Sequence, residues 1–547
     1  MISDTVTPYR PVRPAGSPGF GALLRAEWIK FRTVRGWVIG MITAVVVTAL
    51  LGLFGAGMAH IGCGGALGGP ARTGAACLPA VATGPGGEAV VDSYYFVHQP
   101  LASHGTITVR ITSLTGRYFP AGGPVGSAQG PGGSPSQPTA AKGLQPWSKA
   151  GIMIAASTRP GAGYVAMMVT GQHGVRMQYN YTHDTAGLAG SVSDASPRWL
   201  RLTRSGDLIT GYDSADGTHW NQVATASLAG LPSTAQAGLF ATSPQYLQMS
   251  SQELGGTSGS TGASQATAGF DHVRLTGPAA GRGWTGQGID TAADADYPVQ
   301  GGGYHQAGAT FTVTGSGDIA PAVPGPGSTF QTATIEDHLV GVFAGLIAVV
   351  VVAAMFFTAE YRRGLIRVTL AATPRRGLVL AAKAVVIGVV AFVAGLIAAG
   401  IVLPLGVRMS RDQGQYVLPV SLLTELRIIV GTGALVAVAA VLALAIGAAM
   451  RRSAAAVTTA IVVIVLPFLL AVAGIVPAGA GDWVLRLTPT AGFAILQSIP
   501  GYSQVNAPYT PNAGFYPLAP WAGFAVLCAY AALAVALAAF LLRRRDA

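Results

Sequence analysis

The side chains through which this sequence could act on a ligand are few, and most lie between residues 88 and 276. Asp207, Asp213 and Asp216 stand near one another, yet each falls in a turn context such as Ser205-Gly206-Asp207 or Ser214-Ala215-Asp216-Gly217, where an Asp side chain bonds backbone close by. Turn chemistry explains them better than general acid–base work does. His98, His104, His173, His183, His219, His272 and His305 are scattered without metal-ligand spacing, so no metal site is expected. Trp147, Trp199 and Trp220 have faces able to stack on a sugar ring, although at strand positions a core role comes first. Cys63 and Cys77 either pair as a disulfide, which an oxidising compartment would allow, or stay two free thiols. Cys528 is expected as a small packing residue. The whole chain has four lysines and no G-x-x-x-x-G-K-[ST] segment, hence no backbone cradle for nucleotide phosphates. No enzyme activity and no bound cofactor are expected.

Two kinds of element must position these groups, because the composition is split. Of 547 residues half are hydrophobic and only 10% charged, against about 25% in an ordinary soluble domain. Glycine, proline and serine concentrate between residues 60 and 335, away from the long apolar runs. A net charge of +11 would suggest nucleic acid in a soluble protein, but the placement of the cations points elsewhere. Arg25, Lys30, Arg32 and Arg35 precede the first apolar run, and Arg362, Arg363 and Arg367 follow the second. Arg451 and Arg452 separate the fourth from the fifth, and Arg543, Arg544 and Arg545 follow the last. This is the positive-inside pattern of a membrane protein.

Six runs approach or exceed the ~20 apolar residues that cross a bilayer: 36–59, 339–359, 384–407, 428–450, 453–477 and 521–542. An even number returns both termini to the side of the arginine clusters. The termini are therefore expected in the cytoplasm, residues 60–335 outside, and the whole chain in the plasma membrane. Residues 1–19, with Pro8, Pro11, Pro14 and Pro18, read as a disordered tail. Residues 20–59 form a lead-in helix and the first span, and 336–547 the other five spans. The first run ends in Gly-rich sequence without an A-x-A cleavage site, so it stays as an anchor. Pro467 interrupts the fifth run, with packing, hydration or a kink at a pathway all open. Residues 491–499 are apolar but too short to span and are expected as an interfacial or re-entrant helix. Residues 501–520, with Tyr502, Tyr509, Tyr516 and then Trp521, suit the headgroup level.

Between the first two runs the periodicity changes. Residues 106–111 alternate, 150–155 form a short buried run, and 164–170 and 175–181 flank a Gly171-Gln172-His173-Gly174 turn. The pattern repeats over 199–204, 208–212 and 220–224. Short strands at this spacing predict an all-β sandwich, interrupted by flexible insertions at 121–140 and 250–268; a resemblance given below puts its core at about 88–276.

Thr358-Ala359-Glu360-Tyr361-Arg362-Arg363-Gly364, then Arg367-Val368-Thr369-Leu370, Thr373-Pro374-Arg375-Arg376 and Lys383, resemble the first cytoplasmic loop of ABC-2 type transporter permeases. Leu24-Arg25-Ala26-Glu27-Trp28-Ile29-Lys30-Phe31-Arg32-Thr33 is similar to that family's amphipathic helix ahead of the first span. The resemblance implies a six-helix, membrane all-α fold that pairs with a second permease copy or paralogue. It also implies separate ABC ATPase subunits that hold ATP and Mg. Glu360, Tyr361, Arg362, Arg363, Gly364, Arg367, Pro374, Arg375 and Arg376 would form the ATPase-coupling loop. Glu360, Arg362 and Arg363 would supply polar contacts to the soluble partner, while Gly364 and Pro374 mark helix breaks. The bland alternative is that these arginines only anchor helix ends to lipid phosphates.

Gln145-Pro146-Trp147-Ser148-Lys149-Ala150-Gly151, Pro197-Arg198-Trp199-Leu200-Arg201-Leu202 and Asp213-Ser214-Ala215-Asp216-Gly217-Thr218-His219-Trp220 resemble the concanavalin A-like lectin/glucanase jelly roll, in its DUF1349 or laminin-G-like branch. The glucanase branch's E-x-D-x-E strand is absent, so hydrolysis by paired carboxylates is not implied. Residues 311–319 resemble a strand that in related modules precedes the first motif. Here it follows the last, and either pairs back at the sandwich edge, at about 310–319, or is a chance match.

These readings converge on the transmembrane permease subunit of an ATP-driven ABC-2 type exporter. Its substrate is expected to be amphiphilic or hydrophobic, because the spans hold almost no internal acid or base. The alternative is a non-transporting membrane protein that displays a lectin-like domain for an extracellular carbohydrate or protein ligand.

Overall fold

In lipid every backbone polar group must be satisfied within the protein, so the long apolar runs become helices. The computed structural model describes residues 19–58, 62–63, 72–73, 81–119, 140–251, 257–278, 281, 283–289, 302–324, 332–362, 375–473, 476, 478–507 and 509–544. Among them, six helices are long and apolar enough to cross a membrane. The lead-in helix Phe20–Thr33 breaks at Val34, whose backbone is extended, and the first span Arg35–Met58 follows. The second span is Gly341–Arg362, the third Arg376–Asp412 and the fourth Leu422–Met450. The fifth is made of two pieces, Ser453–Ile464 and Leu466–Val472, and the sixth is Pro520–Arg544.

Packing explains the irregularities. At Gly395 a Cβ would stand 3.0 Å from the Gly433 Cα, so the third and fourth spans touch backbone to backbone, as small residues allow in lipid. Pro467 has no N–H to donate back along the helix, and the fifth span breaks beside it at Val465. The second piece places Phe468 against Phe343 and Phe493, with ring centroids 4.0 and 5.3 Å apart. Residues 491–496 belong to the 3-10 helix Pro489–Leu496, all eight residues of which are buried, packed on the fourth and sixth spans. It is held inside the helical bundle rather than on its surface.

The domain between the first two spans is a sandwich of two antiparallel sheets. One runs His183–Ala186, Val175–Tyr179, Tyr164–Thr170, Lys149–Ala155, Ala235–Thr242, Tyr94–Leu101, Thr285–Ile289. The other runs Asn221–Ser227, Leu208–Ser214, Arg198–Ser205, His104–Tyr118, Ser264–Thr276, Thr310–Gly315, Gly303–Ala307. Val97, Ile107, Val109, Ile152, Ile154, Leu200, Leu239 and Phe270 fill the space between them. Lys149–Ala155 and Tyr164–Thr170 are buried at every position. The second face of their sheet, carrying Tyr94, Phe96, Tyr164 and Phe240, is covered by Val90 and Ile319. Strands buried on both faces lose the polar alternation that marks a half-exposed one.

The strand Thr310–Gly315 lies inside the second sheet, paired with Ser264–Thr276 and Gly303–Ala307, so the sandwich extends past residue 276. Residues 257–262 and 264–268, expected as part of a flexible insertion, are strands instead. The segment lacks the apolar alternation by which a strand is read from sequence. The insertion at 121–139 lies outside the described residues. So does the Cys63–Cys77 pair, since Cys77 is not described and Cys63 only as backbone of a two-residue strand. The sandwich rests on the helical half through an apolar joint of Ala89, Ala322 and Leu418. Beside it, Gln504, which is 3% exposed, donates to the Tyr181 carbonyl at 3.2 Å.

Candidate functional site

Four charged side chains from three helices meet at the end of the bundle away from the sandwich. On the lead-in helix Leu23, Glu27 and Phe31 recur every four residues, which aligns them on one face, and all three are buried. A carboxylate in such a stripe is costly unless it is paired. Lys383, two turns into the third span and 0% exposed, reaches Glu27 Oε2 at 2.6 Å and Glu360 Oε1 at 2.7 Å. Glu360, 6% exposed, sits near the end of the second span. Half-exposed Lys30 closes the ring, 2.7 Å from Glu27 Oε1 and 3.1 Å from Glu360 Oε1. Two carboxylates and two ammoniums leave no net charge, and the short contacts offset much of the loss of hydration.

Aromatic rings wall the cluster. Phe356, one turn before Glu360, lies with its ring centroid 4.6 Å from Lys383 Nζ, a cation–π distance. Phe31 and Trp37 meet the same ring edge-on, with centroids 5.8 and 4.9 Å away. Burial works against the charge on Lys30, but Glu27 and Glu360 outweigh it and hold the ammonium above its ordinary value.

Glu360 and Lys383 lie on either side of residues 363–374 in the chain, and their contact ties the second span to the third. Glu27 ties the same point to the lead-in helix. One ionic cluster therefore joins three helices.

Not every residue expected in the coupling loop lies here. Glu360 was expected to offer its carboxylate to a soluble partner; instead it is turned inward and occupied by Lys383 and Lys30. Tyr361 is half-buried, with the Arg451 guanidinium 5.2 Å from its ring centroid. Arg362 is described only as backbone at the helix end, and Arg363, Gly364, Arg367 and Pro374 lie outside the described residues. Arg375 is exposed, and Arg376 donates to the Leu542 carbonyl at 2.8 Å, tying the third span to the sixth. Glu27 and Lys30 join the cluster, whereas Trp28, 45% exposed, and Arg32 face outward. Lys383 is the residue sequence reasoning undervalued, although a lysine within an apolar run is itself a functional signal. The third apolar run was expected from residue 384; its helix starts at Arg376 and so takes in Lys383.

The aromatic and acidic candidates of the sandwich are engaged by its own residues. Trp147, 5% exposed, stacks on His173 at 4.0 Å. Arg110 and Arg201 lie 5.8 and 3.7 Å from the ring centroids of Trp199 and Trp220. Asp216 accepts the Thr218 and His219 N–H groups at 2.8 Å each, and Asp213 accepts that of Leu188 at 2.6 Å. These are backbone-ordering bonds.

The ABC-2 family transporter protein profile matches residues 222–547, and no curated protein matches the chain. Among solved structures the chain is similar to a protein of unknown function from Saccharomyces cerevisiae, at 17% identity over 34% of this chain and 76% of that one, with a TM-score of 0.22. It is similar to SCP-B, a member of the eqolisin family of peptidases, at 9% identity over 41% and 98%, with a TM-score of 0.22. It is also similar to the GH43 BlXynB protein from Bacillus licheniformis, at 18% identity over 31% and 26%, with a TM-score of 0.17. Likenesses this weak carry no argument about the sandwich, whose concanavalin A-like name rests on sequence resemblance alone. The family profile spans more than half the chain and takes in five of the six apolar helices, so this multi-pass membrane protein belongs to the ABC-2 family of transporter proteins.

Proposed function

We propose that the chain is the permease subunit of an ATP-driven exporter that moves an amphiphilic or hydrophobic substrate outward. ATP and Mg would bind separate ABC ATPase subunits, and a second permease copy or paralogue would complete the pathway. The Glu27–Lys383–Glu360 cluster carries this reading, because it makes the base of the 363–374 loop, the lead-in helix and the third span one mechanical body. Exposed Arg25, Arg32, Arg35, Arg375, Arg452, Arg543 and Arg544 lie at the same end, which favours a cytoplasmic position for it and an outside position for the sandwich. ATP-driven closure of the partners would push the loop. The cluster would pass that displacement to the spans, which tilt between inward and outward access. The buried aromatic face of the seven-stranded sheet counts against a lectin-like display role.

Co-purification of the detergent-solubilised chain with candidate ATPase subunits tests this. Wild type is expected to retain an ATPase, and the variant R363A/R367A/R375A, which spares the buried cluster, to lose most of it. Failure of wild type to retain any ATPase in every nucleotide state overturns the reading.

A further inference from the structure

At the sandwich end of the bundle a cavity of about 700 Å³ opens between the start of the fourth span, the segment after the buried 3-10 helix and the start of the sixth span. Among the described residues Arg427 is the only charged side chain lining it, and no acid lines it. Its Nη2 donates to the Gln497 carbonyl at 2.5 Å, while its Nε is buried without a hydrogen-bond partner. Among the described residues Arg427 makes no ion pair; Glu336, nearby, accepts the Ser498 N–H at 2.9 Å instead. The lining also carries Leu423, 79% exposed, and Trp521, 65% exposed. Tyr516, Pro517 and Pro520 complete the aromatic and proline composition of the headgroup level.

We infer that this cavity is a binding site for an anionic amphiphile. The acidic head would sit on the Arg427 guanidinium, a fork suited to phosphate or carboxylate, and the hydrocarbon would run along Leu423 and Trp521 into the surrounding lipid. Thr424, Ser498, Ile499 and Pro500 also line a second cavity, of about 400 Å³, that reaches Glu88 and Pro321 at the base of the sandwich. The two cavities are therefore neighbours beneath the sandwich, divided by walls they share. The place of the site on an export route rests on the permease reading; its occupancy does not, and is measured without any ATPase.

The experiment is binding of fluorescent phosphatidylglycerol and of fluorescent phosphatidylcholine to the purified full chain in micelles. Wild type is expected to prefer phosphatidylglycerol, and R427Q to weaken that lipid alone by about tenfold, a loss of about 1.4 kcal/mol. R408Q, which removes an equal charge from an exposed position on the third span, is expected to leave both lipids unchanged. L423E, on the exposed wall, should weaken phosphatidylglycerol with Arg427 intact and serves if R427Q does not fold. Equal binding of the two lipids, or equal losses in R427Q and R408Q, overturns the site. Displacement by millimolar inorganic phosphate overturns its amphiphile character, since a free anion would then suffice.

Discussion

Lys383 and Glu27 share one ion pair, yet removing either leaves a different cluster. Lys383→Met strands two buried carboxylates beside the half-exposed Lys30, and breaking a buried pair in this way costs about 3–5 kcal/mol. Glu27→Gln keeps an acceptor of similar shape and leaves Lys383 on Glu360 at 2.7 Å, so about 1–3 kcal/mol is expected. The thermal midpoint of the purified chain in micelles should fall much further for K383M. The triple variant E27Q/E360Q/K383M should recover part of the loss, because it strands no charge. A midpoint for K383M equal to wild type would mean that the cluster does not hold the three helices. Glu27, Lys30 and Glu360 were legible as residues, since motif and position mark them. The inward aim of Glu360 was not, because a carboxylate at a helix end reads alike whether it faces a partner or a lysine 23 residues on.

At the scale of elements, legibility followed length and periodicity. Six long apolar runs and the alternating 106–111 and 199–204 segments each have one stable backbone solution. Segment 489–496 has none of its own: a mostly apolar stretch of eight residues can lie on a bundle or inside it, and Phe343, Phe468 and the sixth span hold it inside. The joint between the two halves is equally tertiary. Asn180 and Tyr181 hold left-handed backbone, with φ of 44° and 60°, a region unfavourable for a bulky side chain. Gln504 accepts this turn's strain by donating to the Tyr181 and Thr182 carbonyls at 3.2 and 3.4 Å. Gln504→Ala leaves those buried carbonyls unanswered and should weaken the local closure by about 1–3 kcal/mol. Hydrogen exchange is expected to quicken in residues 180–186 while the helices keep their protection. Unchanged exchange would assign the joint to Ala89, Ala322 and Leu418 alone.

The whole molecule joins a helical bundle to a sandwich whose two ends leave side by side, because Ala89–Asp92 pairs with Ile319–Pro321 at its base. The bundle keeps contacts of its own past that base: Thr332–Ala333 pairs in parallel with Tyr416–Val417, and Leu418 donates to the Ala333 carbonyl at 2.9 Å. Residues 81–324 can therefore be replaced by a short Gly/Ser linker without cutting any span. The cluster around Lys383 lies at the other end of the helices, so the shortened chain should retain the proposed ATPase as well as wild type is expected to. The exit side should behave differently, since the smaller cavity is walled in part by Glu88, Ala89, Pro321 and Ala322 and would lose that wall. In proteoliposomes holding the chain and its ATPase, ATP hydrolysis is expected to persist while ATP-dependent transfer of fluorescent phosphatidylglycerol falls. Transfer at the wild-type rate would remove the sandwich from the route. Loss of ATPase retention would instead make the sandwich a support on which the bundle itself depends.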